Sequence, residues 1–519
     1  MTIKTFSQRF KTRILYLTRP PGANSTHQIH SALACLMEKT MSTKEYFAAP
    51  ARSITAQQDE IPMVRLDAHV ADQRARISSR NLSSVVAVFA VCFASTANPL
   101  RADEVIKWNE VATKAASDSG VTGIPLFEAR IYAITFAAVH DALNGIDRRY
   151  TPYAFSLPVT PGASPEAAVA TAAHDVLLDQ FGQLAAAPYG FGSPLSFIEA
   201  EYTASLAQIP SGPAKASGIT LGKAAAQAVL ALRAGDGWNT QPLFDTTYPQ
   251  GTAPGQYRFT PGFNFVLLPK WGDLPPFVLK DGRQFRPPAP YPIDSKRYTQ
   301  DFSEVKALGG DGVTTPSART LDQTEIALFW VESSPLMWNR IGRTVASSQR
   351  LELWENARLF ALLNLGLADG YIASFGDKYF YNYWRPVTAI QEGNNDGNPD
   401  TVGDPNWTPL VATPPLPDYD SGHAVEGGTA AGVLQGFFLT DRINFAMCST
   451  TLPPGQTCES ANPRTRSFNS FSEAAEENGL SRILVGFHFR NAVEEGIAHG
   501  RKIADWVVAH ALRKTGEAE

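Results

Sequence analysis

The chain has 519 residues, 44% hydrophobic and 18% charged, which is the make-up of a globular protein and excludes a disordered or fibrous one. Its formal charge of −5 conceals an asymmetry: residues 1–102 hold 13 Lys/Arg against 6 Asp/Glu, leaving 32 against 44 beyond them. A body this acidic repels nucleic acid and anionic membranes, so any anionic ligand has to be captured by a local cationic pocket.

Residues 1–102 read as a region absent from the mature protein. Between 74 and 102, Arg74, Arg76 and Arg80 precede the apolar run Val85–Ala94, and the small residues Ser95, Thr96 and Ala97 follow it. Basic flank, short apolar core and small-residue exit compose a secretory signal peptide. The apolar core is well below the ~20 residues of a membrane span. Met63 is a candidate start, which makes residues 1–62 a gene-model artefact; the competing reading is a disordered extension followed by a buried helix. Export predicts a secreted or periplasmic protein with no stable membrane span. It also predicts a disulfide between Cys448 and Cys458, which flank the turn residues Pro453-Pro454-Gly455. Two free thiols are the alternative.

Residues 103–235 form an Ala-rich N-terminal part in which apolar residues recur at three- and four-residue steps, as in Ala129–His140 and Ala167–Leu178, the pattern of packed helices. Residues 236–320 crowd Gly and Pro together and sustain no strand alternation, which predicts an irregular wrapping loop. Residues 321–519 return to helical patterning over 321–391, 421–438 and 470–512. The connection Asn394–Asp400 reads as an Asn/Asp/Gly turn, with calcium binding through its carboxylates as the alternative. The predicted class is all-α: a helical bundle with a long Pro/Gly-rich loop wrapped around it.

Three blocks in the last part carry chemistry. Lys378 and Arg385 are seven apart, two turns on one helix face, and Pro386 is expected to end or kink that helix. Amid Tyr, Phe and Trp they are either a solvated basic face or a pair that needs an anion. Ser421-Gly422-His423 opens a helical run. Ser caps the helix, Gly permits close approach, and the free amides attract an anion that His423 could serve as acid or base; a plain cap with a surface histidine is the other reading. Arg482 and His488, with Gly486 between them, lie about 120° apart on an unbroken helix. They converge only if Arg482 sits at the helix start or reaches around. Together, three cations, a helix N-terminus and two histidines fit a tetrahedral oxyanion of two or three charges.

In order and spacing these blocks resemble the motifs of the superfamily joining vanadium-dependent haloperoxidases with type 2 phosphatidic acid phosphatases and bacterial acid phosphatases: Lys-x6-Arg-Pro, Pro-Ser-Gly-His, and Ser-Arg-x3-Gly-x-His-x3-Asp. Tyr383–Ile390, Asp404–Leu410, Phe329-Trp330, Trp338-Asn339 and Ala138–Ala142 are similar to the bacterial vanadium chloroperoxidase-like branch. The resemblance implies the helical-bundle fold of that superfamily. It also implies a vanadate cofactor with His488 as axial metal ligand and His423 as acid/base, and Lys378, Arg385, Ser421, the Gly422 amide and Arg482 on the equatorial oxygens. The implied activity is oxidation of halide by hydrogen peroxide, with a small organic acceptor. A phosphatase using His488 as nucleophile, and an exported scaffold that binds an oxyanion without turnover, are the alternatives; monomer and homodimer both stay open. The chain departs from the motifs in two places. Asp420 stands where the superfamily has proline, and Ala492 stands where it has the aspartate that orients the last histidine, a role that Asn491, Asp141 or a backbone carbonyl would have to fill. Leu416 occupies a position where chloride-oxidising relatives often carry an aromatic.

Overall fold

The computed structural model describes residues 103–516 apart from Leu157, so the predicted signal segment at 74–102 lies outside the described residues. The expected all-α bundle with a wrapping loop is what the chain forms. In the N-terminal part lie α1 (Glu104–Ser119), α2 (Pro125–Asn144), α3 (Pro165–Ala186), α4 (Leu195–Ala207) and α5 (Pro213–Leu232). Past the loop come α6 (Lys296–Leu308), α7 (Leu321–Phe329), α8 (Ser334–Gln349), α9 (Leu353–Tyr381), α10 (Pro386–Glu392), α11 (Gly422–Phe438), α12 (Phe471–Leu484) and α13 (Arg490–His510). Their boundaries follow local chemistry. Asp103 accepts the amides of Val105 and Ile106 to cap α1, and Thr320 with Gln323 closes a reciprocal capping box on α7.

Two parts of the pattern reading need correction. The 236–320 segment is not wholly irregular: α6 lies inside it, capped by Ser295 and burying Tyr298, Phe302 and Val305 on one face. Two antiparallel pairs also form, β1 (Phe244–Asp245) with β2 (Val266–Leu267), and β3 (Phe445–Cys448) with β4 (Thr465–Phe468). And α9 is long and apolar enough to cross a membrane, although no segment beyond 102 was expected to be. Its place explains that composition: it is the central helix, packed against α2 and α11 and buried along nearly its whole length. Cys448 and Cys458 are joined in a disulfide. At Asn394–Asp400 the turn reading holds. Asp396 accepts the amide of Asn398 and the hydroxyl of Thr401, so its carboxylate is used within the turn.

Buried carboxylates tie the irregular segments down. Asp141 accepts the consecutive amides of Tyr153, Ala154 and Phe155 at 2.7, 2.7 and 2.8 Å. Asp369, on α9, does the same for Phe277, Val278 and Leu279 of the wrapping loop. Both side chains are fully buried. Asp369→Ala orphans three buried amides at once and should destabilise the fold by about 3 kcal/mol or more, whereas the exposed Asp281→Ala should cost under about 1 kcal/mol. Urea unfolding of the two variants checks this, and equal midpoints would refute the anchoring role.

The end of the bundle that holds Ser421 rests on a close crossing of α11 and α13. A Cβ on Gly428 would lie 2.4 Å from the carbonyl oxygen of Ile497, and one on Gly500 would lie 2.1 Å from that of Val425. Only glycine lets these backbones meet. The crossing sets the start of α11 against α13, where the Ser421 amide donates to the Ala492 carbonyl at 2.9 Å.

Candidate active site

Lys378 sits in the last turn of α9, but Arg385 does not share its helix. α9 ends at Tyr381, Asn382 turns the chain in the left-handed region (φ 47°), and Arg385 is extended (φ −83°, ψ 154°). Pro386 therefore begins α10 instead of ending the previous helix, because proline suits the first helical position and keeps the residue before it out of the α region. Arg385 is buried. Its Nε donates to the Leu416 carbonyl at 2.7 Å, and its Nη1 donates to the Phe487 carbonyl at 2.9 Å. Lys378 spends its ammonium on the following turn, donating to the carbonyls of Pro417, Asp418 and Asp420. Burial and then Arg385 pull its pKa down to about 7.

Ser421 is the N-cap of α11 but makes no side-chain capping bond, and its buried Oγ has no protein partner. His423, one residue into the helix, places Nε2 3.3 Å from the Glu332 carbonyl oxygen. Burial, followed by the charges of Arg482, Lys378 and Arg385, holds its pKa well below the ordinary histidine value. These effects favour the neutral imidazole.

Arg482 occupies the last turn of α12, not the start of a helix. Convergence with His488 comes from Gly486, whose φ of +85° breaks the helix and folds the chain back, so that Phe487 and His488 both donate backbone amides to the Arg482 carbonyl. Arg482 Nη1 donates to the Trp330 carbonyl at 2.8 Å, while its buried Nε has no partner. Burial and Arg385 lower its pKa to about 9.

The carboxylate beside His488 is none of those weighed from the motif. Asp418 Oδ1 lies 2.9 Å from His488 Nδ1 and 3.8 Å from Arg385 Nη1, and the aspartate is fully buried. Neither Asp418 oxygen makes a well-directed hydrogen bond; the contact is an ion-pair distance. Arg385 Nη1 lies 2.9 Å from His488 Nε2 and 3.4 Å from Nδ1, nearer the former. The arrangement assigns the proton to Nδ1 and the lone pair to Nε2, the tautomer a metal ligand needs. Asn491 is engaged elsewhere, its side chain accepting the Tyr291 amide and its own amide donating to Asp301. Asp141 is spent on the 153–155 segment, and Ala492 packs under Ser421. Asp420 is turned away from Lys378, Ser421 and the other cavity residues, with its carboxylate on His499 of α13.

Lys378, Arg385, Gly422, His423, Arg482 and His488 line one cavity of about 190 Å³, and Ser421 lies buried directly beside them. The remaining wall is largely apolar, with Phe263, Phe375, Leu416 and Phe487 from the C-terminal part and the wrapping loop, and Pro125 and Leu126 from the start of α2. Leu416 is singled out by the sequence and Phe487 lies within the third block, but Phe263, Phe375, Pro125 and Leu126 carry no motif, so only the fold reveals them. The donor set fits a tetrahedral oxyanion. Ser421 Oγ and Arg482 Nε are buried polar atoms lacking partners, the first amides of α11 are free by helix geometry, and burial followed by the charge of Arg385 lowers the pKa of both Lys378 and Arg482, a cost that a bound anion would relieve. Lys378 would have to exchange one carbonyl for the anion.

Residues 358–517 match the model of the VCPO second helical-bundle domain. The vanadium chloroperoxidase of Curvularia inaequalis is 25% identical over 316 residues, a match that spans 46% of this chain and 51% of that protein, about half its length. Among solved structures, a bacterial vanadium-dependent iodoperoxidase superposes with a TM-score of 0.64 at 23% identity, covering 80% of this chain and 98% of that one. A holo-type bacterial vanadium-dependent chloroperoxidase gives 0.60 at 16% identity, covering 77% and 95%. At such identities the structural likeness speaks for the fold alone. Residues 358–517 thus match the second helical-bundle domain of the vanadium chloroperoxidase model, and the chain as a whole shares the helical fold of the bacterial vanadium haloperoxidases.

Proposed function

We propose that this protein is a vanadate-dependent haloperoxidase, oxidising halide with hydrogen peroxide. The observation that supports this reading best is the convergence of the three cations, the α11 start and both histidines on one apolar-walled cavity, with Asp418 beside the inner nitrogen of His488. Bound vanadate would supply a Lewis acid that activates peroxide toward halide. His488 would hold it through Nε2, while Asp418 keeps the Nδ1 proton in place. Lys378, Arg385, Arg482, Ser421 and the Gly422 amide would hold its oxygens and balance their charge. His423, neutral at rest, would take a proton from incoming peroxide and return it to the departing oxygen.

The wall around Leu416, Phe263 and Phe487 offers a halide little hydration, which penalises the strongly hydrated chloride more than bromide or iodide. The same wall would admit a small apolar organic acceptor. Export to an oxidising compartment is part of the proposal and is supported by the Cys448–Cys458 bond.

Two assays on one preparation test the reading. Protein loaded with orthovanadate should brominate an activated carbon acid when given peroxide and bromide, and inorganic phosphate should compete. Phosphomonoester hydrolysis that needs no vanadate, is inhibited by it and is lost with either histidine would instead make the protein a phosphatase. Tight oxyanion binding with neither activity would make it a scaffold.

A further inference from the structure

Behind the cavity lies a second histidine–carboxylate group. His499, midway along α13, places Nδ1 2.8 Å from Asp420 Oδ2 and 3.6 Å from Asp377 Oδ2. Arg286, from the wrapping loop, donates Nε to Asp377 Oδ1. The side chains of Asp377, Asp420 and His499 are all 0% exposed, and four separate segments of the chain meet in the group.

Its charge count decides what it holds. The ligand atoms of Asp377, Asp420 and His499 lie within 4.8 Å of one another, near enough for a metal ion. Two ionised carboxylates with Arg286 and a protonated His499 sum to zero, whereas a divalent cation would leave an excess positive charge buried beside Arg286; burial and then Asp420 push the Asp377 pKa up to about 7, so this carboxylate too tends to hold a proton. Burial pulls the His499 pKa down, but the hydrogen bond to Asp420 and the charges of Asp420 and Asp377 outweigh it and raise it overall. The charges therefore favour an ion cluster over a metal site, although His499 Nε2, Asp377 Oδ2 and Asp420 Oδ1 are buried without a hydrogen-bond partner.

The cluster is tied to the anion-binding residues through the backbone. Asp377 precedes Lys378 on α9, and Asp420 precedes Ser421. The Asp420 carbonyl itself accepts from Lys378 Nζ. On the reading of the cavity as an oxyanion site, we infer that His499 is a positioning residue which, by clamping Asp420 and Asp377, sets the Lys378 ammonium and the Ser421–Gly422 helix start for the anion. This gives Asp420 a purpose. Where the superfamily motif has a proline that stiffens the turn by itself, this chain fixes the turn from behind with an ion pair.

Titration calorimetry of the full chain with inorganic phosphate tests the inference without reference to which reaction follows. His499→Leu leaves two buried carboxylates facing Arg286 alone and should weaken phosphate binding about 10-fold or more, the usual effect of removing an outer partner of a binding group. His499→Gln can still donate to Asp420 and should recover most of that loss. Asp420→Asn keeps the shape, removes the charge and should fall between them, so it carries the test if His499→Leu does not fold. Phosphate affinity unchanged in both Asp420→Asn and His499→Leu, with only the melting temperature lowered, would overturn the inference and leave the cluster a purely structural device. So would one equivalent of transition metal in the wild-type protein that is lost with His499→Leu. Wild-type protein that does not bind phosphate would instead remove the oxyanion reading, and this inference with it.

Discussion

His488→Ala should reduce vanadate-dependent bromide oxidation to background and abolish tight vanadate binding, while His423→Ala should keep much of the binding and lose about 100-fold or more in kcat. The difference follows from what each ring touches. His488 has Asp418 beside Nδ1 and Arg385 nearest Nε2, and follows the phenylalanine whose carbonyl also anchors Arg385. Removing it deletes the side chain proposed to bond the metal and leaves Asp418 buried beside Arg385 and Lys378 without the imidazole. His423 has no cation or carboxylate as a hydrogen-bond partner; it meets the Glu332 carbonyl and is kept neutral by its burial and by the surrounding cations. Its loss removes a proton carrier and little else. Vanadate titration and steady-state bromination, run on the same preparations, separate the two roles. Equal loss of binding in both variants would mean that His423 holds the anion too.

Much of this site is legible in the chain because its motifs are short and local. Ser421, Gly422 and His423 are consecutive, and helix-start chemistry is written in the residues themselves. What escaped the pattern is what depends on the chain reversing direction. The spacing of Lys378 and Arg385 matches two turns of helix, but Asn382 and Pro386 convert the second turn into a break and a new helix start, so the right residues meet for a different reason. Arg482 and His488 meet through the left-handed Gly486, which a helical projection treats as a spacer. α6 was hidden because its apolar face needs only Tyr298, Phe302 and Val305 and is flanked by prolines that read as loop. Asp418 was hidden by its neighbour: of two acids near the Ser421 turn, Asp420 stands at a motif position and draws notice, while Asp418, three residues before Ser421, is the one beside His488.

That assignment leads to the second large effect. Asp418→Asn should lower both vanadate affinity and kcat/KM by about 10- to 100-fold, and Asp418→Ala should do at least as much, with Asn491→Ala near wild type in both. The asparagine preserves volume, so the loss would report the charge. A neutral amide can donate as well as accept, so it no longer confines the His488 proton to Nδ1, and the tautomer that leaves Nε2 free to bind becomes one of two. The charge has a second task. Burial raises the Asp418 pKa to about 7 against the opposing pull of Arg385 and then Lys378, so its ionised form is held by the same cations that would face the anion. Removing it leaves those cations less balanced, and they would hold any anion more tightly by charge alone. The two consequences oppose each other, which makes the sign of the affinity change informative. Weaker vanadate binding by Asp418→Asn means that orienting His488 dominates. Tighter binding, with kcat still reduced, would mean that Asp418 acts chiefly as a counter-charge and that the Phe487 carbonyl and Arg385 orient the ring without it.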